Sequence, residues 1–239
     1  MFGYTFLIQV VIGFSAAVIV DFILSYIIHK SKEFPVSGAI SGLIVANLFS
    51  QGSYLVVAVA SALAILSKTF IKYNKKHIFN PANFGIAIIG IVSLFVPINA
   101  SVAWLPGFVP GLLIVLGFII LYRLKRWEIH LTYFAMLAAL LLAQGLYNEL
   151  PNDRLIEFVY KSITDGSILY FVFFMVVEPV TNPVTRRGRI VYSLLIAVIA
   201  FSITFTGFIE YALIYALFIV DLFVPVIDKF TKKNLSAKI

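Results

Sequence analysis

The chain has 239 residues, of which 62% are hydrophobic and only 12% charged, against about 25% charged in a typical soluble domain. One soluble core has no place for so much apolar surface, so lipid is the expected solvent. The formal net charge of +7 then reads as basic cytoplasmic loops rather than a nucleic-acid footprint, and the absence of cysteine excludes disulfides, haem-thiolate and cysteine-ligated iron–sulfur sites.

A membrane helix needs about 20 residues to cross the hydrocarbon. Divided at Pro, Gly and charged clusters, the sequence predicts an all-α polytopic membrane protein with about nine spans: 4–28, 36–50, 53–72, 80–97, 107–123, 128–147, 158–178, 189–207 and 209–227. The first carries no Lys or Arg in residues 1–20, so it lacks the charged leader of a secretory signal and is expected to be a mature helix. The second span is short and polar, with Ser37, Gly38, Ser41, Gly42 and Asn47. The seventh is interrupted at Thr164-Asp165-Gly166-Ser167, and a short apolar run, 168–177, follows.

Loop charges alternate with this count. Every loop after an odd-numbered span is basic: Lys30 and Lys32; Lys72, Lys75 and Lys76; Arg123, Lys125 and Arg126; Arg186, Arg187 and Arg189; and finally Lys229, Lys232, Lys233 and Lys238. The intervening loops are bare or mixed. The alternation places the N-terminus outside and the C-terminus in the cytoplasm of a multi-pass protein of the cell membrane.

Sliding the sequence by 128 positions lays Leu94-Phe95-Val96-Pro97 on Leu222-Phe223-Val224-Pro225, Gly38 on Gly166, and the short second span on the broken seventh. The expected architecture is a single membrane domain over 1–239 built from two repeats, about 1–125 and about 126–239. Five spans separate the copies, so the topology is inverted, and such folds build a midplane site from discontinuous helices. Gly38 and Gly166 mark that site, unless both are close-packing residues between helices.

Ionisable residues at bilayer depth are costly and tend to be functional. Asp21 and Asp221 are candidates for an ion path, and Asp165 lies in the break of the seventh span. Lys68 sits near a span end, where its stem can snorkel to the interface. The three histidines, His29, His77 and His130, are assigned to basic loops, and no metal-ligand cluster, catalytic triad or P-loop occurs.

Two motifs stand out. In Phe79-Asn80-Pro81-Ala82-Asn83-Phe84-Gly85, Asn80 can cap a helix whose first turn suits Pro81, and the free amides there suit an anion or carbonyl. The second is Glu178-Pro179-Val180-Thr181-Asn182-Pro183-Val184-Thr185-Arg186-Arg187-Gly188-Arg189, where Glu178 ends a long apolar run and needs a partner.

With these motifs the sequence resembles the D subunit of Rnf-type electron-transport complexes and the related B subunit of sodium-pumping NADH:quinone reductase. Ser67-Lys68 before the first motif, Phe173-Phe174-Met175-Val176-Val177 leading into the second, Val224-Pro225-Val226-Ile227-Asp228, and Arg126-Trp127-Glu128-Ile129-His130 carry the rest of the likeness. The resemblance implies an inverted repeat related to urea and ammonium channels, a flavoprotein role among partner membrane subunits, and ion-coupled electron transfer. The family's covalent FMN threonine falls after the fourth span. Here that segment is Asn99-Ala100-Ser101-Val102-Ala103-Trp104-Leu105-Pro106-Gly107, and no threonine occurs between Thr69 and Thr132. Covalent FMN is therefore expected to be absent, and any flavin (FMN or riboflavin) to be held non-covalently. The candidate flavin set is Gly38, Asn47, Lys68, Asn80, Pro81, Asn83, Asp165, Gly166, Ser167, Glu178 and Thr181, with Gly38, Gly166, Asn80, Asn83, Glu178 and Thr181 lining one central site. The chain is at most a subunit of an ion-translocating oxidoreductase. The competing readings are a stand-alone transporter or channel for a flavin or other small solute, and a scaffold that anchors partners.

Overall fold

The computed structural model describes residues 3–50, 53–98, 100–102 and 110–236. It is an all-α polytopic membrane protein, and the chain divides into two compact units, Met1–Leu105 and Pro106–Ile239.

The first unit is built on α1 (Tyr4–His29), α2 (Val36–Leu48), α3 (Tyr54–Phe70) and α4 (Pro81–Ser93). Helix α1 is apolar on every side, as a lipid-facing helix must be, but Gln9, Gly13, Ala17 and Asp21 recur every fourth residue and form its one buried stripe. That stripe meets the small residues of α2. A side chain on Gly42 would run into the carbonyl of Gly13, and one on Gly13 would lie 2.8 Å from Ala46 Cβ. The two backbones therefore touch, the close approach that small residues permit in membranes. Gln9 holds the far end of α2: its Nε2 donates to the carbonyls of Ala46 and Phe49, both at 2.9 Å. Beyond α2, Phe49 bridges to Val102 and the Ser50 amide donates to Ser101 O at 2.9 Å. Gly85 of α4 lies directly against the Ala60 carbonyl of α3.

Helix α4 starts as its sequence requires. Asn80 accepts from the Asn83 amide at 3.1 Å and Pro81 occupies the first turn. The link from α3 to α4 is a hairpin, β1 (Lys72–Tyr73) against β2 (Lys76–His77), turned by Asn74 and Lys75 at φ 50° and 67°. Two positive-φ residues make this a type I′ turn.

The second unit contains α5 (Pro110–Leu124), α6 (Trp127–Tyr147), α7 (Asn152–Ile163), α8 (Gly166–Tyr170) with a π turn over Phe171–Met175, α9 (Arg186–Ile203) and α10 (Ala212–Ser236). Helix α9 packs against both α6 and α10. Leu113 and Leu121 of α5 form an apolar core with Leu169 and Phe173, and Gly117 is seated on the Phe173 ring. Helix α9 is capped by Thr185, which accepts from the Gly188 amide at 2.9 Å, and is tied to α6 by Arg189 Nε donating to Glu128 Oε1 at 2.5 Å. Thr132 and Ser193 add a hydroxyl–hydroxyl bond across the same seam.

The helix bounds differ from the predicted spans, and one placement is corrected. Among the described residues, only four helices are long and apolar enough to cross a membrane by themselves, Tyr4–His29, Trp127–Tyr147, Arg186–Thr206 and Ile209–Lys232, with a fifth if the bent pair counts as one span. Helices α2 and α4, at 13 residues each, are about 20 Å long against about 30 Å of hydrocarbon. The interruption predicted in span 158–178 falls where expected, between Ile163 and Gly166. Helix α7 starts at Asn152, carries Asp153, Arg154, Glu157 and Lys161, and meets the next helix at a 43° bend. Finally, His130 is not a loop residue: it lies on α6, 4% exposed, with its ring 5.0 Å from that of Phe173.

Candidate functional site

Within the first unit, Asp21 and Lys68 come together. Lys68 Nζ donates to Asp21 Oδ2 at 2.9 Å, and the Asp21 side chain is 7% exposed. A buried carboxylate is tolerated at this depth because a cation on the neighbouring helix neutralises it. Lys68 is therefore an ion-pair partner rather than a freely snorkelling side chain. Gly38 belongs to the same contact: a Cβ on it would lie 2.8 Å from Asp21, so here the glycine serves close packing. Asn80 and Asn83 are buried at the start of α4, and Asn47, half-buried on α2, donates back to Leu43 O at 2.7 Å. Of the 99–107 segment, in which the resemblance places the covalent flavin threonine, only Ala100, Ser101 and Val102 are among the described residues.

Within the second unit, Asp165 is a helix cap: its Oδ1 accepts from the Ser167 amide at 2.9 Å, which restarts the chain as α8 after the break. A Cβ on Gly166 would meet nothing within 4 Å, so this glycine, unlike Gly38, faces open space.

The densest polar constellation of the second unit lies on the segment after the π turn. The three stretches that carried the family likeness in this half of the chain meet here. Arg126, before α6, donates to Pro179 O at 3.2 Å. Glu128 holds Arg189, whose Nη1 donates to Val184 O at 2.9 Å. Asp228 on α10 accepts from the Val184 amide at 2.8 Å, and Thr185 and Thr231 share a 2.7 Å hydroxyl bond. Burial and the neighbouring Arg189 lower the Arg126 pKa, and Glu128 partly offsets them. This segment is thus fixed by ion pairs and backbone bonds rather than left as a free loop.

The groups it presents inward are polar and buried. Thr181 is 2% exposed, its hydroxyl 3.5 Å from Glu178 O and in hydrogen-bond contact with Tyr192. The Tyr192 hydroxyl donates to Asp221 Oδ1 at 2.7 Å, and both residues are fully buried. Asn182 is 3% exposed, and neither atom of its amide has a hydrogen-bond partner among the described residues. A buried primary amide left open in this way costs free energy unless something else bonds it. Glu178, Thr181 and Asp221 were legible as candidates. Tyr192 and Asn182 were not singled out: Tyr192 is one tyrosine among twelve, and Asn182 reads as turn chemistry between prolines.

A protein-family model described as the NQR2, RnfD, RnfE family matches residues 91–236, more than half of the chain. Among curated proteins, the chain is similar to the D subunit of the ion-translocating oxidoreductase complex of Actinobacillus succinogenes, 27% identical over 148 residues covering 60% of this chain and 39% of the relative. The proteins of the same description from Mannheimia succiniciproducens and Haemophilus ducreyi are 26% and 28% identical, over 65% and 50% of this chain and 42% and 33% of their own lengths. The matches thus span less than half of each of these relatives. The family match covers the constellation around Glu178 and Asp221 as well as α5 to α10, and the chain belongs to the NQR2, RnfD, RnfE family.

Proposed function

We propose that the chain is a membrane subunit of a flavin-dependent, ion-coupled electron-transport complex of the Rnf or Nqr type, working with partner membrane subunits in the cell membrane. The observation that carries this reading is the buried, braced segment from Glu178 to Arg189, where Asn182 offers an open amide donor and acceptor beside Thr181. An isoalloxazine ring presents alternating carbonyl acceptors and an imide donor, the pattern that a carboxamide answers. A non-covalently bound flavin would supply the electron chemistry, and the residues would supply its binding and local field. Here Asn182 and Thr181 would hold the ring edge and Glu178 would set the charge beside it. Asn80, Pro81 and Asn83 in the first unit remain in the proposed flavin set by resemblance. Asp221, held by Tyr192, is the acid we place on the ion path.

Two further parts of the reading rest on the sequence and on each unit's own packing. In the first unit α3 contacts both α1 and α4, and in the second α9 contacts both α6 and α10. That shared order supports the 128-residue repeat and a channel-like inverted fold. The alternating loop charges support nine membrane segments, some as short helices, with the N-terminus outside and the C-terminus in the cytoplasm.

The test is the visible absorption of protein purified in mild detergent, before and after acid precipitation. Flavin colour released to the supernatant, and lost in Asn182→Ala, is the expected result. Colour retained in the pellet would mean covalent attachment and overturn the non-covalent reading. A protein that stays colourless after incubation with FMN and riboflavin would favour a transporter or channel for another solute.

A further inference from the structure

A second polar site lies in the first unit, apart from the segment just described. At the end where α1 and α3 stop, a cleft of about 170 Å³ is lined by Asp21, Ser25, His29, Lys68, Thr69 and Lys72, and its wall is completed by Leu24 and Ile28. Its chemistry is mixed by construction. Two lysines face one carboxylate, and Lys68 already bonds Asp21 at 2.9 Å. Both helices present their carbonyl ends here, which disfavours a bare anion, while Lys68 and Lys72 disfavour a bare cation. A ligand carrying both charges close together suits the cleft: an anionic group on Lys72 and Lys68, and an ammonium on the remaining lone pairs of Asp21.

The surroundings say what such a ligand is attached to. Leu24 and Ile28 give the cleft an apolar wall on α1, and Ile28 is 47% exposed, as a lipid-facing residue of a membrane helix is. Asp21 is eight residues before the end of α1, about 12 Å along its axis, so the cleft runs along the last two turns of that helix. Lys30 folds back over the Tyr26 ring at 5.7 Å from its centroid, an amphipathic pair suited to the interface. We propose that this cleft seats the headgroup of a zwitterionic, primary-amine phospholipid, with its phosphate on Lys72 and Lys68, its ammonium at Asp21, and its acyl chains leaving past Leu24 and Ile28.

The experiment is native mass spectrometry of the full chain in detergent, titrated with phosphatidylethanolamine, phosphatidylglycerol, glycerophosphoethanolamine and inorganic phosphate. One tightly held phosphatidylethanolamine is expected, with weaker phosphatidylglycerol and little of either soluble probe. Lys72→Gln, at an exposed position, removes one charge-assisted contact and should cut occupancy about tenfold. Asp21→Asn should erase the preference for the amine lipid, and because that variant also unpairs Lys68, Lys72→Gln remains the decisive one. Equal or tighter phosphatidylglycerol, an unchanged Lys72→Gln, or displacement of the lipid by inorganic phosphate at equal concentration would each overturn the assignment.

Discussion

Removing the Tyr192 hydroxyl tests whether the polar constellation of the second unit is a coupled unit. The hydroxyl donates to Asp221 at 2.7 Å, and both groups are fully buried. A hydrogen bond to a charged group contributes about 1.5–3 kcal/mol, because water cannot replace the lost donor. For a chain of this length each kcal/mol moves the melting midpoint by about 2–4 °C, so Tyr192→Phe should melt about 3–12 °C lower. Circular dichroism in detergent suits the measurement, since the chain has no cysteine for thiol-reactive dyes. The sharper test is a double-mutant cycle with Asp221→Asn. If the bond is real, the two losses overlap and the double variant is at least about 1 kcal/mol more stable than their sum. Additivity within about 0.5 kcal/mol would show that the two groups do not interact, and the proposed ion-path role of Asp221 would lose its structural support.

Other predictions concern the helix seams. Gly85→Val drives a side chain into the Ala60 carbonyl, which cannot swing away as a side chain would, so a loss of about 1–3 kcal/mol or more is expected in the same melt. Gly166→Ala, in open space at the first position of α8, should be neutral or up to about 1 kcal/mol stabilising; a large loss would mean the glycine has a packing role the geometry does not show. Glu128→Gln leaves Arg189 partly buried without its anion and should cost about 3 kcal/mol, most of it restored when Arg189 is also made Gln. Gln9→Leu deletes two bonds to the end of α2 and should cost about 1–3 kcal/mol; limited proteolysis between α2 and α3 should accelerate with it.

Hydropathy and loop chemistry made the membrane class and the helix positions legible, because both are local. Lipid demands long apolar runs with every backbone group satisfied inside the segment. Asn80-Pro81 announced a helix start, and Thr164-Asp165-Gly166 announced the break that Asp165 caps. Span lengths were less legible. An apolar run extends past the helix it contains, so 36–50 and 80–97 shrank to helices of 13 residues.

Pairing was the part that only tertiary structure could decide. Asp21 and Lys68 are 47 residues apart and Tyr192 and Asp221 are 29 apart, and nothing in either sequence neighbourhood names the partner. Gly38 and Gly166 look alike in sequence and align in the repeat, yet one is pressed against Asp21 and the other meets open space. His130 sits in a basic stretch of sequence but on the buried face of α6. The sequence by itself determined the solvent, the helices and the family motifs, since each is written in contiguous residues. The structure decided which buried charges are neutralised, which glycines are contacts, and that three separate motifs of the second unit brace one segment, because those depend on which helix faces meet.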